Sequence, residues 1–209
     1  MRIAIIVDTF PSLSETFISN KVERLALKGN EVVVFCNKKD NQLYTQLFNN
    51  EKRVKTVLLN KKKILVYSFL RPFILLRSFL HRDDIKQTIY RSFRVFTINK
   101  HKPDIIHFEF SGIGIDYLYE IKFLKALKIV SCRGSAEKVK LLIYDDRKEK
   151  FRNLLNLVDR IHCVSNNIRE TILPYCKENN KIFINYPSID TTFFERRSEN
   201  KNGKILTIL

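Results

Sequence analysis

The chain has 209 residues, 44% of them apolar, so it can bury the core of one large domain or two small ones. Only five glycines and five prolines occur, which excludes collagen-like and low-complexity chains. Four cysteines without a C-x-x-C pair exclude a disulfide scaffold and suit a reducing compartment. No uncharged apolar stretch reaches about 18 residues, and residues 1–8 are too short for a signal peptide. We therefore expect a cytoplasmic protein.

The net charge of +16 is unevenly distributed along the chain. Residues 51–103 hold 14 lysines and arginines against three acids, a net +11. Three interpretations remain open: a buried helix pair with a solvated basic face, a helix on an anionic membrane, or a nucleic-acid surface. The high aliphatic content of residues 64–80 disfavours nucleic acid. The membrane interpretation places the protein peripherally on the inner face of the membrane, through Lys61, Lys62, Lys63, Arg71 and Arg77.

The first 36 residues predict a strand, a helix and a second strand. Residues 3–7 form a continuous apolar run, typical of a strand covered on both faces. Ser12 and Glu15 have capping-box spacing at the start of a helix that ends at Gly29. Residues 31–36 form another apolar run. Strands connected in this way run parallel, with a right-handed crossover.

The same alternation continues to residue 184. Further strands are predicted at residues 54–59, 103–108, 126–132, 160–164 and 181–184. Helices are predicted at 63–100 with a break near Pro72, at 113–127, at 136–157, and after Ser165, which is placed to cap the last of them. The sum is an α/β fold, a Rossmann-like doubly wound parallel sheet of six or seven strands.

The last residues change in character. Residues 195–203 have linker composition, whereas residues 204–209 look like a new strand. We expect a domain at residues 1–195, followed at 196–209 by a linker and the first strand of a second domain.

Ligands of a doubly wound sheet bind beyond the carboxyl ends of its strands, and four segments at these places resemble one known family. They are F-P-S-L-S-E-T-F-I at 10–18, I-I-H-F-E-F at 105–110, V-D-R-I-H-C-V-S at 158–165, and Y-P-S-I-D at 186–190 with Phe193. In this order and spacing they resemble the amino-terminal half of a GT-B retaining glycosyltransferase of family 4, polysaccharide-assembly branch. Many members carry H-G-x-D where this chain has Arg133 and Gly134, and a second histidine where it has Glu109.

The resemblance implies transfer of a sugar from a nucleotide-sugar donor to a lipid-linked or saccharide acceptor in cell-surface polysaccharide synthesis. In that fold the amino-terminal domain binds mainly the acceptor, so the chain is expected to be inactive alone. No cofactor and no metal are expected, since fixed basic groups assist the leaving diphosphate. An alternative is a non-catalytic membrane-surface subunit that pairs with a separate donor-binding chain. A nucleic-acid-binding α/β protein is a weaker third interpretation.

The expected site residues follow the strand ends. Catalytic roles are expected for His107 and Glu109, and substrate binding for Ser14, Glu15, Thr16, Arg133, Gly134 and Ser165. Glu109 and Arg133 should meet above the carboxyl edge of the sheet, because they follow two strands of it. Each assignment has a structural alternative: helix capping for Ser12 and Glu15, a hydrogen-bonded core position for His107, and a surface ion pair for Arg133. His162 is expected in the core.

Overall fold

The computed structural model describes residues 1–49, 51–59 and 85–187. Their main sheet has seven parallel strands in the order β5-β3-β1-β6-β7-β8-β9. These strands are β1 (Arg2–Ile6), β3 (Glu31–Cys36), β5 (Val54–Leu58), β6 (Ile105–Phe108), β7 (Leu127–Cys132), β8 (Arg160–Cys163) and β9 (Ile182–Ile184). Two short strands, β2 (Thr9–Phe10) and β4 (Lys38–Lys39), pair separately. The predicted doubly wound parallel sheet is confirmed.

Helices connect the strands. They are α1 (Thr16–Leu27), α2 (Asn41–Phe48), α3 (Ile85–Lys100), α4 (Ser111–Asp116), α5 (Leu118–Ile121), α6 (Ser135–Lys138), α7 (Lys140–Ile143), α8 (Asp145–Leu157) and α9 (Asn166–Ile172). The strands are apolar throughout because the sheet is covered on both faces. In β1, Ala4 and Ile6 join one buried cluster, whereas Ile3 and Ile5 join the other.

The strand order reverses direction at β1. The chain first adds β3 and β5 on one side of β1, then adds β6 to β9 on the other. Such a reversal leaves a crevice outside the carboxyl ends of β1 and β6, where open α/β sheets bind ligands. The loop that follows β1 and the residues after β6 border this crevice.

Two helices that were predicted to be continuous are interrupted, and the prediction is wrong there. The helix expected at 113–127 is two short helices, α4 and α5, because the chain turns between them at Tyr117 and then enters β7. The helix expected at 136–157 is α6, α7 and α8, since Tyr144 is extended and interrupts it. Apolar spacing was similar on both sides of each break, so it gave no sign of a turn.

The two predicted helix starts have different outcomes. Ser165 Oγ accepts a hydrogen bond from the Ile168 N–H at 3.3 Å, so its capping role is confirmed. The capping box at Ser12 is wrong: a 3-10 turn occupies residues 13–15, Ser12 Oγ lies 3.0 Å from Ser14 Oγ, and no side chain caps α1. Gly29 ends the helix as predicted, with φ +85°.

Several predictions lie outside the described residues. The basic segment at 61–82, with Lys61, Lys62, Lys63, Arg71 and Arg77, is one of them. So is the predicted boundary at residue 195 with the segment after it. No helix in the described ranges is long and apolar enough to cross a membrane.

Candidate active site at the carboxyl edge of the sheet

Glu109 is the centre of a buried charge cluster directly after β6. Its side chain is 0% exposed. Oε1 accepts a hydrogen bond from the Lys21 ammonium, and Oε2 accepts one from Arg133 Nη2 at 2.8 Å. Arg133 Nε also donates to the Glu109 carbonyl oxygen at 3.0 Å. Glu109 and Arg133 therefore meet at the crevice, as their positions after neighbouring strands predicted.

An aromatic ring lies beside the cluster. The Arg133 guanidinium carbon is 4.4 Å from the centre of the Phe17 ring, and Phe17 packs edge-on against Phe110 at 6.3 Å. Phe17 and Lys21 lie one turn apart on α1, so they share a helix face. Helix α1 thus brings an apolar ring and an ammonium group to the same place.

A chain of hydrogen bonds leads from Lys21 across three strands. The Lys21 ammonium lies 2.8 Å from His107 Nδ1, and His107 Nε2 lies 2.7 Å from Ser131 Oγ. Ser131 Oγ lies 2.8 Å from His162 Nδ1, and His162 Nε2 lies 3.0 Å from the Asn185 carbonyl oxygen.

The two ends of this chain determine the direction of the bonds next to them. An ammonium can only donate, and a carbonyl oxygen can only accept. His107 Nδ1 must therefore accept and Nε2 must carry the proton. The Ser131 hydroxyl donates onward to His162, whose Nε2 proton goes to Asn185. His107 is consequently neutral. Burial lowers the pKa of His162, so this ring is neutral as well, with the proton on Nε2 and Nδ1 accepting from Ser131.

The pKa values agree with this assignment. Burial, helped by the charges of Lys21 and Arg133, lowers the pKa of His107 to about 3. Burial alone would raise the pKa of Glu109, but His107, which becomes charged in acid, together with Lys21 and Arg133 outweighs burial and brings it to about 2. Burial lowers the pKa of Lys21, against the attraction of Glu109. At neutral pH the cluster holds one carboxylate, two cations and a neutral imidazole.

Not all predicted site residues have free polar groups. The Gly134 N–H donates to Glu137 Oε2 at 2.8 Å, and Ser165 Oγ caps α9. Ser14 and Thr16 are exposed at the start of α1. Glu15 is half-buried, and burial together with the charge of Asp8 raises its pKa. The substrate-binding roles of these residues stay predictions.

Glu137 holds the turn that carries Arg133. Its carboxylate is 2% exposed and accepts hydrogen bonds from the Ser111 hydroxyl, the Arg133 N–H at 3.2 Å and the Gly134 N–H. Gly134 has φ +148°, a conformation that side chains disfavour. An internal carboxylate thus occupies the donors of this turn and holds the backbone of Arg133 in place.

Sequence reasoning missed Lys21, Ser131 and Glu137. A lysine in a helix and a serine in a strand are ordinary residues, and their partners lie 86 and 24 positions away in the chain. One available signal was the four-residue spacing of Lys21 from Phe17, which follows directly on the residues already expected to bind substrate. For Glu137 the sequence offered no signal.

Other site types receive no support within the described ranges. No group of three histidine, cysteine or acidic side chains there could hold a metal ion. All four cysteines are free. Two open depressions lie at the opposite, amino edge of the sheet, around Asp104. The carboxyl-edge cluster is therefore the candidate site.

Comparison with known proteins identifies the family. The model of Glycosyltransferase Family 4 matches residues 14–193, a span that contains the whole cluster. The chain belongs to this family. The membership and the seven-stranded parallel sheet confirm the expected Rossmann-like domain of a GT-B glycosyltransferase. No curated protein matches the chain.

Solved structures share this fold at low sequence identity. Anabaena HepE, in a complex with UDP-glucose, has a TM-score of 0.65 and 9% identity, covering 95% of this chain and 47% of HepE. The lipopolysaccharide outer core galactosyltransferase WaaB has a TM-score of 0.52 and 16% identity, covering 90% and 46%. A sucrose-phosphate synthase structure from Thermosynechococcus elongatus has a TM-score of 0.57 and 10% identity, covering 93% of each chain. The chain spans about half the length of HepE and WaaB.

Proposed function

We propose that this chain is the acceptor-side half of a glycosyltransferase that moves a sugar from a nucleotide sugar to a lipid-linked or saccharide acceptor in cell-surface polysaccharide synthesis. Membership of Glycosyltransferase Family 4 supports the reaction class. The HepE structure contains UDP-glucose, which supports a nucleotide sugar as donor. The observation that carries the proposal is the Lys21–Glu109–Arg133 cluster at the crevice between β1 and β6.

In this proposal His107 and Glu109 act by positioning other groups. Glu109 is fully buried, both its oxygens are bonded to cations, and its lowered pKa makes it a poor base. Both nitrogens of His107 are hydrogen-bonded within the protein. The most exposed charged side chains of the cluster are Lys21 at 27% and Arg133 at 18% exposure, whereas His107 is 12% exposed. These two cations are the groups placed to contact an acceptor.

The transfer itself breaks the bond between the sugar carbon C1 and the nucleotide diphosphate, and forms a bond from C1 to an acceptor oxygen. The diphosphate leaves with the bonding electrons, and one of its oxygens takes up the proton that the acceptor hydroxyl loses. Fixed positive groups stabilise the charge that develops in such a step. We expect no transfer by this 209-residue chain alone, and robust turnover by it would contradict that expectation.

The test is sugar transfer by the full-length gene product. Membrane extracts and oligosaccharides serve as acceptors, with radiolabelled nucleotide sugars as donors. We expect Arg133→Met and Glu109→Gln to lower turnover at least about tenfold, equivalent to about 1.4 kcal/mol of transition-state stabilisation. Lys28→Met removes one positive charge, as Arg133→Met does, but at the far end of α1, and it serves as the control. Full activity in both site variants would contradict the proposed site.

Peripheral binding to the inner membrane face is part of the proposal. The predicted segment 61–82 lies outside the described residues, but α7 and the residue after it add support. Leu142, Ile143 and Tyr144 are 75%, 63% and 54% exposed, and the exposed Lys138 and Lys140 lie beside them. Apolar side chains flanked by lysines suit an anionic lipid surface.

Vesicle co-sedimentation tests this part. We expect binding to anionic vesicles that weakens as salt is added, because salt screens exposed charges over about 8–10 Å. Leu142→Ser should weaken binding, whereas Leu47→Ser, at an exposed leucine of α2, should leave it unchanged. Equal binding to neutral and anionic vesicles would contradict the proposal.

A further inference from the structure

The charge cluster has an excess of one positive charge at its accessible side. Lys21 and Arg133 carry two positive charges against the single negative charge of Glu109, and His107 is neutral. The carboxylate is 0% exposed, whereas the cations are 27% and 18% exposed. The negative charge therefore lies behind, and the positive charge faces the crevice.

Both cations keep hydrogen-bond donors in reserve. An ammonium has three N–H groups, and Lys21 uses two of them, on His107 and Glu109. Arg133 uses Nε and Nη2, while Nη1 bonds to no group in the described part of the chain. An oxyanion placed between them would receive charge-assisted hydrogen bonds from two preorganised donors.

Preorganisation distinguishes this pair from ordinary surface lysines and arginines. Glu109 and the Phe17 ring hold the guanidinium in place, and the Glu137 carboxylate holds the turn beneath it. Two bonds hold the Lys21 ammonium. Binding an anion therefore requires little further ordering of these side chains, which preserves affinity.

Phe17 supplies an apolar surface at the same place. Its ring is 39% exposed and lies beside the guanidinium. An exposed aromatic ring next to charged donors suits a ligand with an apolar face and a charged group. A sugar ring carrying an oxyanion has both.

The rim of the crevice adds carboxyl groups. Glu15 is half-buried near Arg133, and Asp8 is exposed. Burial and the neighbouring Asp8 and Glu109 raise the pKa of Glu15, while Arg133 lowers it. These carboxyl groups oppose a free anion, but they can accept hydrogen bonds from sugar hydroxyls. The surroundings thus favour an oxyanion attached to a sugar over an inorganic anion.

We propose that Lys21 and Arg133, beside Phe17, form a subsite for an oxyanion carried on a sugar ring of the acceptor, either a carboxylate or a phosphate. This inference rests on the proposed function and specifies its acceptor: an acidic saccharide or a sugar phosphate. Lys21 and Arg133 bind the oxyanion, and Phe17 packs against the ring.

The test is ligand binding to the 209-residue chain at constant ionic strength. Changes in amide chemical shifts measure the binding. Glucuronate, glucose 1-phosphate, neutral glucose and inorganic phosphate are the probes. We expect at least one of the two charged sugars to bind at least tenfold more tightly than glucose and than inorganic phosphate. The charged sugar that binds identifies the source of the oxyanion.

Variants separate the subsite from general electrostatics. Lys21→Met and Arg133→Met should each weaken charged-sugar binding at least tenfold, whereas the matched control Lys28→Met should not weaken it. Phe17→Ala retains every charge, and its exposed position makes loss of folding a small concern. It should weaken charged-sugar binding and leave the weak binding of inorganic phosphate unchanged.

Several results would overturn the inference. These are equal binding of glucose and both charged sugars, tighter binding of inorganic phosphate than of the sugars, or equal losses in Lys28→Met and Lys21→Met. If no charged sugar binds but the full-length protein still transfers sugar, only this inference fails. If charged sugars bind but no transfer occurs, the proposed function fails instead.

Discussion

Two buried glutamates in this domain, Glu109 and Glu120, have similar partners and different environments. Each is 0% exposed and is paired with an arginine that lies over an aromatic ring. Glu109 binds two cations and has both oxygens bonded. Glu120 binds Arg94 alone, and its Oε2 has no hydrogen-bond partner in the described ranges.

The number of cations reverses the direction of the pKa shift. Burial raises the pKa of both carboxyl groups. For Glu120 the single charge of Arg94 does not overcome it, so its pKa stays raised. For Glu109, His107 in its acid form, Lys21 and Arg133 together overcome it, and its pKa falls to about 2. Several positive partners therefore keep a buried carboxylate charged down to low pH.

The two pairs also differ in access. Arg94 is 9% exposed, with its guanidinium carbon 4.0 Å from the Tyr117 ring centre and 4.5 Å from that of Tyr90. It is enclosed and has no room for a ligand. Lys21 and Arg133 face the crevice with donors to spare. Similar chemistry thus serves packing in one place and, in our proposal, binding in the other.

The largest effect on stability is expected from Arg94→Met. Removing one partner of an enclosed pair leaves a buried carboxyl group, which costs about 3–5 kcal/mol when the group is charged. Because the pKa of Glu120 is already raised, protonation relieves part of that cost, so the loss should shrink as the pH falls. Urea unfolding at pH 5 and pH 8 measures both effects.

Arg91→Met is the control. The guanidinium carbon of Arg91 is 4.8 Å from the Tyr119 ring centre, and its loss should cost only about 0.5–1 kcal/mol. If Arg91→Met and Arg94→Met lost the same free energy of unfolding, the enclosed pair would have no special role in stability.

A smaller loss is expected from Glu109→Gln. The cations left behind are partly exposed, so water compensates them in part, and the expected cost is about 2–3 kcal/mol. This loss should disappear as the pH falls towards 2, where the native carboxylate becomes protonated as well. Glu31→Gln, in an exposed pair with Arg2, is the matched control and should barely change the urea midpoint. If Glu109→Gln lowered the free energy of unfolding as much as Arg94→Met does, the different solvent exposure of the two sites would have no effect on stability.

His107 should make the domain sensitive to mild acid. Its folded pKa of about 3 lies below the usual 6.5, so below pH 6.5 the unfolded chain binds a proton that the folded chain does not. Stability is therefore lost as the pH falls from 6.5 towards 3. Between pH 6.5 and 5 this amounts to about 1.6 kcal/mol, because the slope rises from half of about 1.4 kcal/mol per pH unit at pH 6.5 to nearly the full value at pH 5. Urea unfolding of His107→Gln over this range should show a shallower slope, and identical slopes would rule out the burial of a neutral His107.

The smallest effects come from two buried hydroxyl groups. Ser131→Ala breaks the link between His107 and His162 and should cost about 1 kcal/mol or slightly more, because two ring nitrogens lose a partner. Thr56 Oγ1 is buried without a hydrogen-bond partner in the described ranges, so Thr56→Val should cost nothing. Thermal unfolding compares the two variants. If they changed stability equally, the hydrogen-bond chain would contribute nothing.

The sheet was predictable because its signals are local. The run at residues 3–7 is apolar on both faces and contains no break, and such a run has few alternatives to a buried parallel strand. Helix ends were predicted less well, since the apolar spacing continues through Tyr117, where the chain turns between α4 and α5. Glycine and side-chain caps gave correct ends at Gly29 and Ser165.

The site was predictable only as far as strand ends define it. Glu109 and Arg133 follow neighbouring strands, so the parallel sheet brings them together. Lys21 reaches Glu109 from a helix 88 positions earlier, a contact that no local pattern encodes. The expectation that His107 and Glu109 contact substrate came from their place at the end of a strand, and burial of their polar atoms favours a positioning role instead.

Carboxyl carbon NMR of the two glutamates tests the central comparison most directly. The chain is labelled with carbon-13 at the glutamate carboxyl groups and titrated from pH 2 to 8. Glu109→Gln and Glu120→Gln serve to assign the two signals. We expect Glu109 to titrate well below the ordinary pKa near 4.5 and Glu120 above it. Titration of both groups on the same side of 4.5 would contradict the claim that the number of positive partners separates the candidate site from the enclosed pair.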